Sequence, residues 1–289
     1  MEAVPIGIIG GSGLYDFEGL EVLDEVFVDT PYGQPSDAIL IAKYEGRRVA
    51  FLPRHGRGHR YNPTNVPYRA NLWALKKLGV FWCVTVSATG SLREEIVPGH
   101  FVIPDQIIDR TFKRANTFFD DIAVHAGFSY PFDPVLRAVL INACKSTQDV
   151  VFHDGGTYVC MEGPLFSTKA ESALHRSWGA SLIGMTAVPE AKLAREAEMA
   201  YATIALATDY DVWNEDDHVS VERVTETLQR SIKRVQDVLK TVIATIPLGA
   251  EAESTASKAL ENAIMTAPKY IDDEMWTRLE LLISKYVTR

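Results

Sequence analysis

Short unbroken apolar runs alternate along this chain with stretches whose apolar residues return every three or four positions. Ile6-Gly7-Ile8-Ile9, Ala38–Ile41, Arg48–Leu52, Phe81–Ser87, Ser181–Met185 and Tyr201–Leu206 are runs of the first kind. They predict strands buried on both faces, as in a parallel sheet. Between them, Pro67–Leu78 predicts a helix with proline in its first turn and Gly79 as its stop. Thr168-Lys169-Ala170-Glu171 spells a capping box for a helix running to Gly179, and Pro189 opens another that ends near Met199. Leu228, Ile232, Val235, Leu239 and Val242 mark an amphipathic helix, and a C-terminal helix is expected over Asp272–Tyr286. The alternation predicts an α/β fold, a single domain with a central mixed, partly parallel β-sheet flanked by helices. The only composition break, Ala250–Lys258, divides a main domain of residues 1–250 from a C-terminal helical extension of residues 251–289. Phe112–Phe132 is the least regular segment.

Composition narrows the partners. The 38 acidic residues exceed the 29 basic ones, for a formal charge of −9 without any Lys/Arg cluster, which argues against nucleic-acid binding. No run approaches the length of a membrane span, and the N-terminus lacks a basic then apolar leader. Cys83, Cys144 and Cys160 are widely spaced, as expected of reduced, buried thiols in a cytoplasmic protein, with neither disulfides nor metal-ligand spacing.

Candidate chemistry collects where the strands end. In open α/β sheets the ligand crevice lies beyond the carboxyl ends of the strands. Asp209 and Asp211 follow directly on Tyr201–Leu206. Two carboxylates so close repel, and partial burial raises the pKa of at least one. Such a carboxyl can act as a general acid or donate to a heterocyclic nitrogen, whereas a solvated acidic turn would do neither. Gly10-Gly11-Ser12-Gly13 offers backbone N–H groups and a hydroxyl, the makings of a phosphate nest. It is not a dinucleotide fingerprint, since Asp16 stands where the third glycine would fall, and it lacks the lysine of a P-loop. Arg54 and His55 add a guanidinium fork and a ring nitrogen after another strand, and Ser87 and Thr186 add hydroxyls after two more. Each alone also reads as a tight turn, a basic loop or a cap; together they point to an oxyanion site.

The chain resembles the S-methyl-5'-thioadenosine phosphorylases, the trimeric branch of the purine nucleoside phosphorylase superfamily. The resemblance runs from Ile6–Leu14 to about Pro247 through Pro53-Arg54-His55-Gly56, Ser91–Glu95, Glu162-Gly163-Pro164, Ala170-Glu171-Ser172, Gly184-Met185-Thr186 and Ala207-Thr208-Asp209-Tyr210-Asp211. It implies phosphate held by Ser12, Arg54, His55, Ser87, Ala88 and Thr186. It also implies a purine against Phe166 near Ser167, ribose on Met185, and His125 reaching the 5' end of the substrate across a subunit interface. Two departures stand out. Gly184 replaces an Asn of some relatives, and Leu165 an Arg or other polar residue.

The resemblance implies phosphorolysis of methylthioadenosine to adenine and 5-methylthioribose 1-phosphate, within purine and methionine salvage. Inorganic phosphate is then a co-substrate and no cofactor or metal is required. Asp209 donates a proton to N7 while Asp211 keeps that proton in place; His55 donates to the phosphate. The implied assembly is a homotrimer, or two trimers paired into a hexamer. A phosphorylase of broader or 6-oxopurine specificity, a hydrolytic nucleosidase and a non-catalytic nucleoside-binding module remain alternatives; phosphate dependence and the residue at position 209 separate them.

Overall fold

The structure, a computed structural model, describes residues 2–214 and 219–288, the side chain of Ser12 excepted. The sheet grows around two strands that the apolar runs had marked. Strand β1 (Ile6–Gly10) lies parallel to β4 (Arg47–Pro53) on one side and to β5 (Trp82–Ser91) on the other. Strand β11 (Ala200–Asp209), buried along its whole length, lies parallel to β5. A hairpin joins β3 (Ile39–Tyr44) to β4 through Glu45 and Gly46, both at positive φ (47° and 82°). Such turns match the twist of the flanking strands.

The apolar runs did not mark every strand. Strand β2 (Glu21–Val26) pairs with β3 at one edge, almost wholly exposed, so it carries no buried pattern. Three-residue strands β6 (Phe101–Ile103) and β8 (Phe152–Asp154) are too short to show a period, whereas β10 (Leu182–Gly184) falls inside the expected Ser181–Met185 run. Strands β7 (Gln106–Arg110) and β9 (Thr157–Met161) pair in parallel, and β9 runs parallel to β10. Strand β6 runs antiparallel to β11, and β10 antiparallel to the end of β5. Those contacts keep Ala88-Thr89-Gly90-Ser91 in β5, although that stretch reads as an opening beyond the strand. The result is the expected mixed, partly parallel sheet, eleven strands among the described residues.

Near its end the β5–β11 ladder slips. Ala207 faces Thr89 and Asp209 faces Gly90, so two residues of β11 stand against one of β5. A bulge of this kind re-aims side chains that a regular strand would send to opposite faces.

Helices cover both faces. On one side α1 (Tyr68–Lys77) and α4 (Ala187–Glu196) pack on Ile9, Ile39, Leu52 and Tyr201. On the other, α2 (Pro134–Ser146) and the 25-residue α5 (Val221–Thr245) pack on Ile6, Val84, Ala202 and Ile204. Helix α3 (Lys169–Ser177) begins with the expected capping box, Thr168 and Glu171 each bonding the other's backbone N–H. The C-terminal α6 (Asp273–Ile283) is shorter than expected. Leu260, Ile271, Leu279, Leu282 and Ile283 of the C-terminal segment are buried in the cluster that holds α1 and α4. Glu198 fastens this segment, accepting from Leu260 N (3.1 Å), Lys285 Nζ (2.9 Å) and Tyr286 Oη (2.6 Å). Among the described residues no helix is long and apolar enough to cross a membrane.

Candidate active site

A cavity of about 1090 Å³ opens at the carboxyl ends of β1, β4, β5, β10 and β11. Arg54, His55, Ser87, Ala88, Phe166, Met185, Thr186, Asp209 and Asp211 line it, as do Gly11 and Gly13 on either side of Ser12. The Ser12 hydroxyl itself lies outside the described side chains. Ser167 is buried behind the wall, its Oγ 3.8 Å from Sδ of the lining Met161. His125 is not at this cavity. It is exposed on the irregular segment, and its N–H donates to Ala263 O at 2.9 Å.

One end of the cavity is built for an anion. Arg54 N donates to Gly10 O (2.9 Å), tying the end of β4 to the glycine turn, and Gln229 and Ile232 of α5 close over it. Gly56 allows the next bend: it has φ +70°, and a Cβ there would sit 2.8 Å from Ser36 O. The Arg54 guanidinium is buried. Nε and Nη2 reach the two carboxylate oxygens of Glu190 at 2.5 and 3.0 Å, and Nη1 reaches Val86 O at 2.9 Å. Burial opposes its charge, but Glu190 more than restores it, so the Arg54 pKa rises. Five N–H groups less three leave two for an anion. Glu190, 0% exposed and also bonded by Tyr201 Oη, is the partner that sequence reasoning missed. A lone acid in the apolar stretch Ala187-Val188-Pro189-Glu190-Ala191 was the available signal.

His55 differs from expectation in one respect. Burial and then the Arg54 charge lower its pKa to about 4, and its Nδ1 lies 2.9 Å from Tyr61 O. A neutral ring whose Nδ1–H is given to that carbonyl presents Nε2 as an acceptor, not as the donor expected.

The carboxyls stand farther along β5, against Gly90. Asp209 Oδ1 accepts the Asp211 N–H at 2.8 Å, and Thr208 Oγ1 lies 2.7 Å from Asp209 Oδ2 and 3.3 Å from Thr89 O. With its hydrogen turned to Thr89, the Thr208 hydroxyl can accept one from a protonated Asp209. Asp211 sits at φ +51°, and burial raises its pKa, only partly offset by the nearby Ser172 and Ser167 hydroxyls. Neither Asp211 Oδ2 nor Ser172 Oγ closes a hydrogen bond, although both are buried. Gly90 makes room for both acids: a Cβ there would lie 3.0 Å from Asp209 Oδ1 and 3.3 Å from Asp211 Cβ.

Met185 also lines the cavity, and a second buried ion pair holds it. Arg114 donates from Nη1 to Met185 O (2.5 Å) and from Nε to Glu162 Oε1 (3.1 Å). Burial works against ionised Glu162, but the Phe112 and Lys113 N–H groups, Thr64 and Arg114 bring its pKa down to about 2. Gly163, at φ +67°, packs so closely that a Cβ would lie 2.5 Å from Met185 Sδ. Val224, Leu228 and Ile232 of α5 give the remaining wall an apolar face.

Residues 5–244 match the family described as the phosphorylase superfamily. The chain belongs to the phosphorylase superfamily. As a phosphorylase-superfamily enzyme it is 51% identical, over 290 residues covering 99% of this chain and 100% of the relative, to the S-methyl-5'-thioadenosine phosphorylase of Geobacter sulfurreducens. A crystal structure of a methylthioadenosine phosphorylase from an Antarctic soil metagenomic library superposes with a TM-score of 0.91 at 46% identity, covering 98% and 99% of the two chains. The methylthioadenosine phosphorylase from Schistosoma mansoni, in complex with adenine, superposes at 0.84 with 35% identity over 91% of this chain and 99% of that one. The family resemblance carried by the motifs is therefore borne out, as is the superfamily's α/β fold. Among the described residues no group of three or more His, Cys, Asp or Glu side chains is placed to hold a metal.

Proposed function

We propose that this enzyme cleaves S-methyl-5'-thioadenosine with inorganic phosphate, giving adenine and 5-methylthioribose 1-phosphate. The observation that carries the reading is one cavity lined by a clamped, buried Arg54, bonded to Val86 O, and by a buried Asp209, set against Gly90 four residues farther along β5. A sugar resting on Met185 would then have an anion at one face of C1' and a carboxyl beside the leaving base.

Hydrogen phosphate accepts from the free N–H groups of Arg54 and from the Ser87 and Thr186 hydroxyls. Its own P–O–H donates to the neutral Nε2 of His55. A phosphate oxygen attacks C1' as the bond to N9 breaks and its electron pair passes into the purine. The dianion stabilises the positive character that develops at the anomeric carbon. Asp209 gives its proton to N7, so adenine leaves neutral, and the other carboxyl oxygen accepts from the 6-amino group. Phe166, half-exposed at the cavity, offers a face for the base. The 5'-methylthio group faces the apolar side of α5 and meets His125 of a neighbouring subunit in a homotrimer. Salvage of purine and methionine carbon in the cytoplasm is the setting this chemistry fits.

Dialysed enzyme should release adenine from methylthioadenosine only when phosphate is added; equal rates with and without it would overturn the reading in favour of hydrolysis. Asp209→Asn should lower kcat/KM for methylthioadenosine by roughly 10²–10⁴-fold. It should raise the relative rate on inosine, because an amide can serve both O6 and N7 where a carboxyl repels O6. An unchanged ratio between the two substrates would remove Asp209 from this role and favour broader specificity.

A further inference from the structure

Gly184 and Tyr158 occupy one space. Tyr158 on β9 lies across from Leu182, and Gly184 across from Cys160, so the tyrosine ring runs along the sheet face toward the glycine. A Cβ at position 184 would meet Tyr158 Oη at 1.9 Å and Cζ at 2.6 Å. The hydroxyl therefore fills the volume in which a side chain at 184 would begin, directly behind the cavity wall formed by Gly184, Met185 and Thr186.

Tyr158 is 0% exposed, and its hydroxyl has no hydrogen-bond partner among the described residues. Ser87 Oγ is likewise buried and unpartnered, and it lines the cavity. A Cβ at position 184 would also lie 3.0 Å from Thr89 Cγ2, and Ser87 stands two residues before Thr89 on the same face of β5, so the tyrosine hydroxyl lies on the Ser87 side of the wall; burial holds it protonated. Buried hydroxyls without partners are costly, and two such groups side by side at an anion pocket point to a bond completed with ligand present.

We propose that Tyr158 is a positioning residue for the phosphate co-substrate, its hydroxyl donating to Ser87 Oγ so that the serine hydrogen turns to the bound anion. The chain of donors runs from Tyr158 Oη through Ser87 Oγ to a phosphate oxygen, each bond polarising the next. Gly184 is its necessary complement, since any larger residue would displace the tyrosine. The inference rests on the phosphorolytic reading and assigns the anion site a residue that never touches the anion.

The test is steady-state kinetics on Tyr158→Phe, which keeps the ring and removes the hydroxyl. The KM for phosphate should rise roughly three- to tenfold, the worth of one neutral hydrogen bond, while the KM for methylthioadenosine stays within about twofold. In a Ser87→Ala background the same substitution should change the phosphate KM by less than about twofold, because the relay is already cut. Gly184→Ala, which forces the hydroxyl from its place, supplies a second route and should also raise the phosphate KM. An unchanged phosphate KM in Tyr158→Phe, a joint rise of both KM values, or full additivity with Ser87→Ala would each overturn the proposal. Phosphate-dependent turnover by the unsubstituted enzyme separates these failures from failure of the phosphorolytic reading, which would sink both.

Discussion

Arg54 and His55 are neighbours in the chain, yet the same burial leaves one charged and the other neutral. Glu190 supplies Arg54 with an ion pair, whereas His55 has a carbonyl on one nitrogen and the arginine's positive charge nearby. The folded pKa of His55, about 4, lies below its unfolded value of 6.5, so between these the unfolded chain holds the extra proton. Its contribution to stability is thus present above pH 6.5 and lost as pH falls toward 4, roughly 1–2 kcal/mol between pH 7 and 5. Glu196 acts in the opposite sense. Burial raises its pKa from 4.5 to about 7, so the folded chain holds the extra proton and gains stability as pH falls through that window. The two offset each other in the unsubstituted protein. In phosphate-free buffer His55→Gln should therefore gain on it by roughly 2–4 °C in Tm between pH 7 and pH 5; a constant Tm difference would show that His55 is not held neutral. At this scale Arg54, His55 and Asp209 were legible because strand ends mark them. Glu190 and Tyr158 were not, since nothing in the letters tells which of many acids or tyrosines a distant strand brings alongside.

The elements most visible in the sequence are those buried on two faces, β1, β5 and β11, together with α5, whose apolar positions repeat over 25 residues. Strand β2 was invisible because its side chains face water, and β6 and β8 because three residues carry no period. The Phe112–Phe132 segment remains irregular in the structure, and side-chain bonds hold it instead: Glu196 takes Phe118 N and Thr117 Oγ1, both at 2.7 Å. Helix α5 serves the sheet and the cavity with different residues. Val235, Val238 and Leu239 are buried in the core, while Val224, Leu228 and Ile232 reach the cavity at four-residue steps. Leu228→Gln should therefore leave folding largely intact and lower the ratio of kcat/KM for methylthioadenosine over adenosine by about tenfold. Equal losses on both substrates would place the methylthio group elsewhere.

Considered as a whole molecule, the single chain holds every expected site residue with a described side chain at or just behind one cavity, except His125. That histidine sits on the outside, tied to the C-terminal segment through Ala263. If a neighbour's His125 completes each site, mixing Asp209→Asn with His125→Ala subunits after exchange should rebuild about a quarter of the sites in a cyclic assembly. The expected readout is recovered turnover from two variants that are each nearly inactive. No recovery after verified exchange would confine the site to one chain. The sequence could not show this arrangement, because an exposed histidine in an irregular segment reads the same whether it faces water or a second subunit.

The two-against-one step in β11 opposite Gly90 makes counting as important as chemistry. Thr208 and Asp209 both line the cavity because the ladder slips between Ala207 and Asp209. Removing Thr208 would restore an even ladder, preserve nearly every apolar contact, and aim a different set of side chains at the substrate. In this stretch of the gene, lineages can therefore diverge through the loss or gain of one codon, a change that percentage identity barely registers.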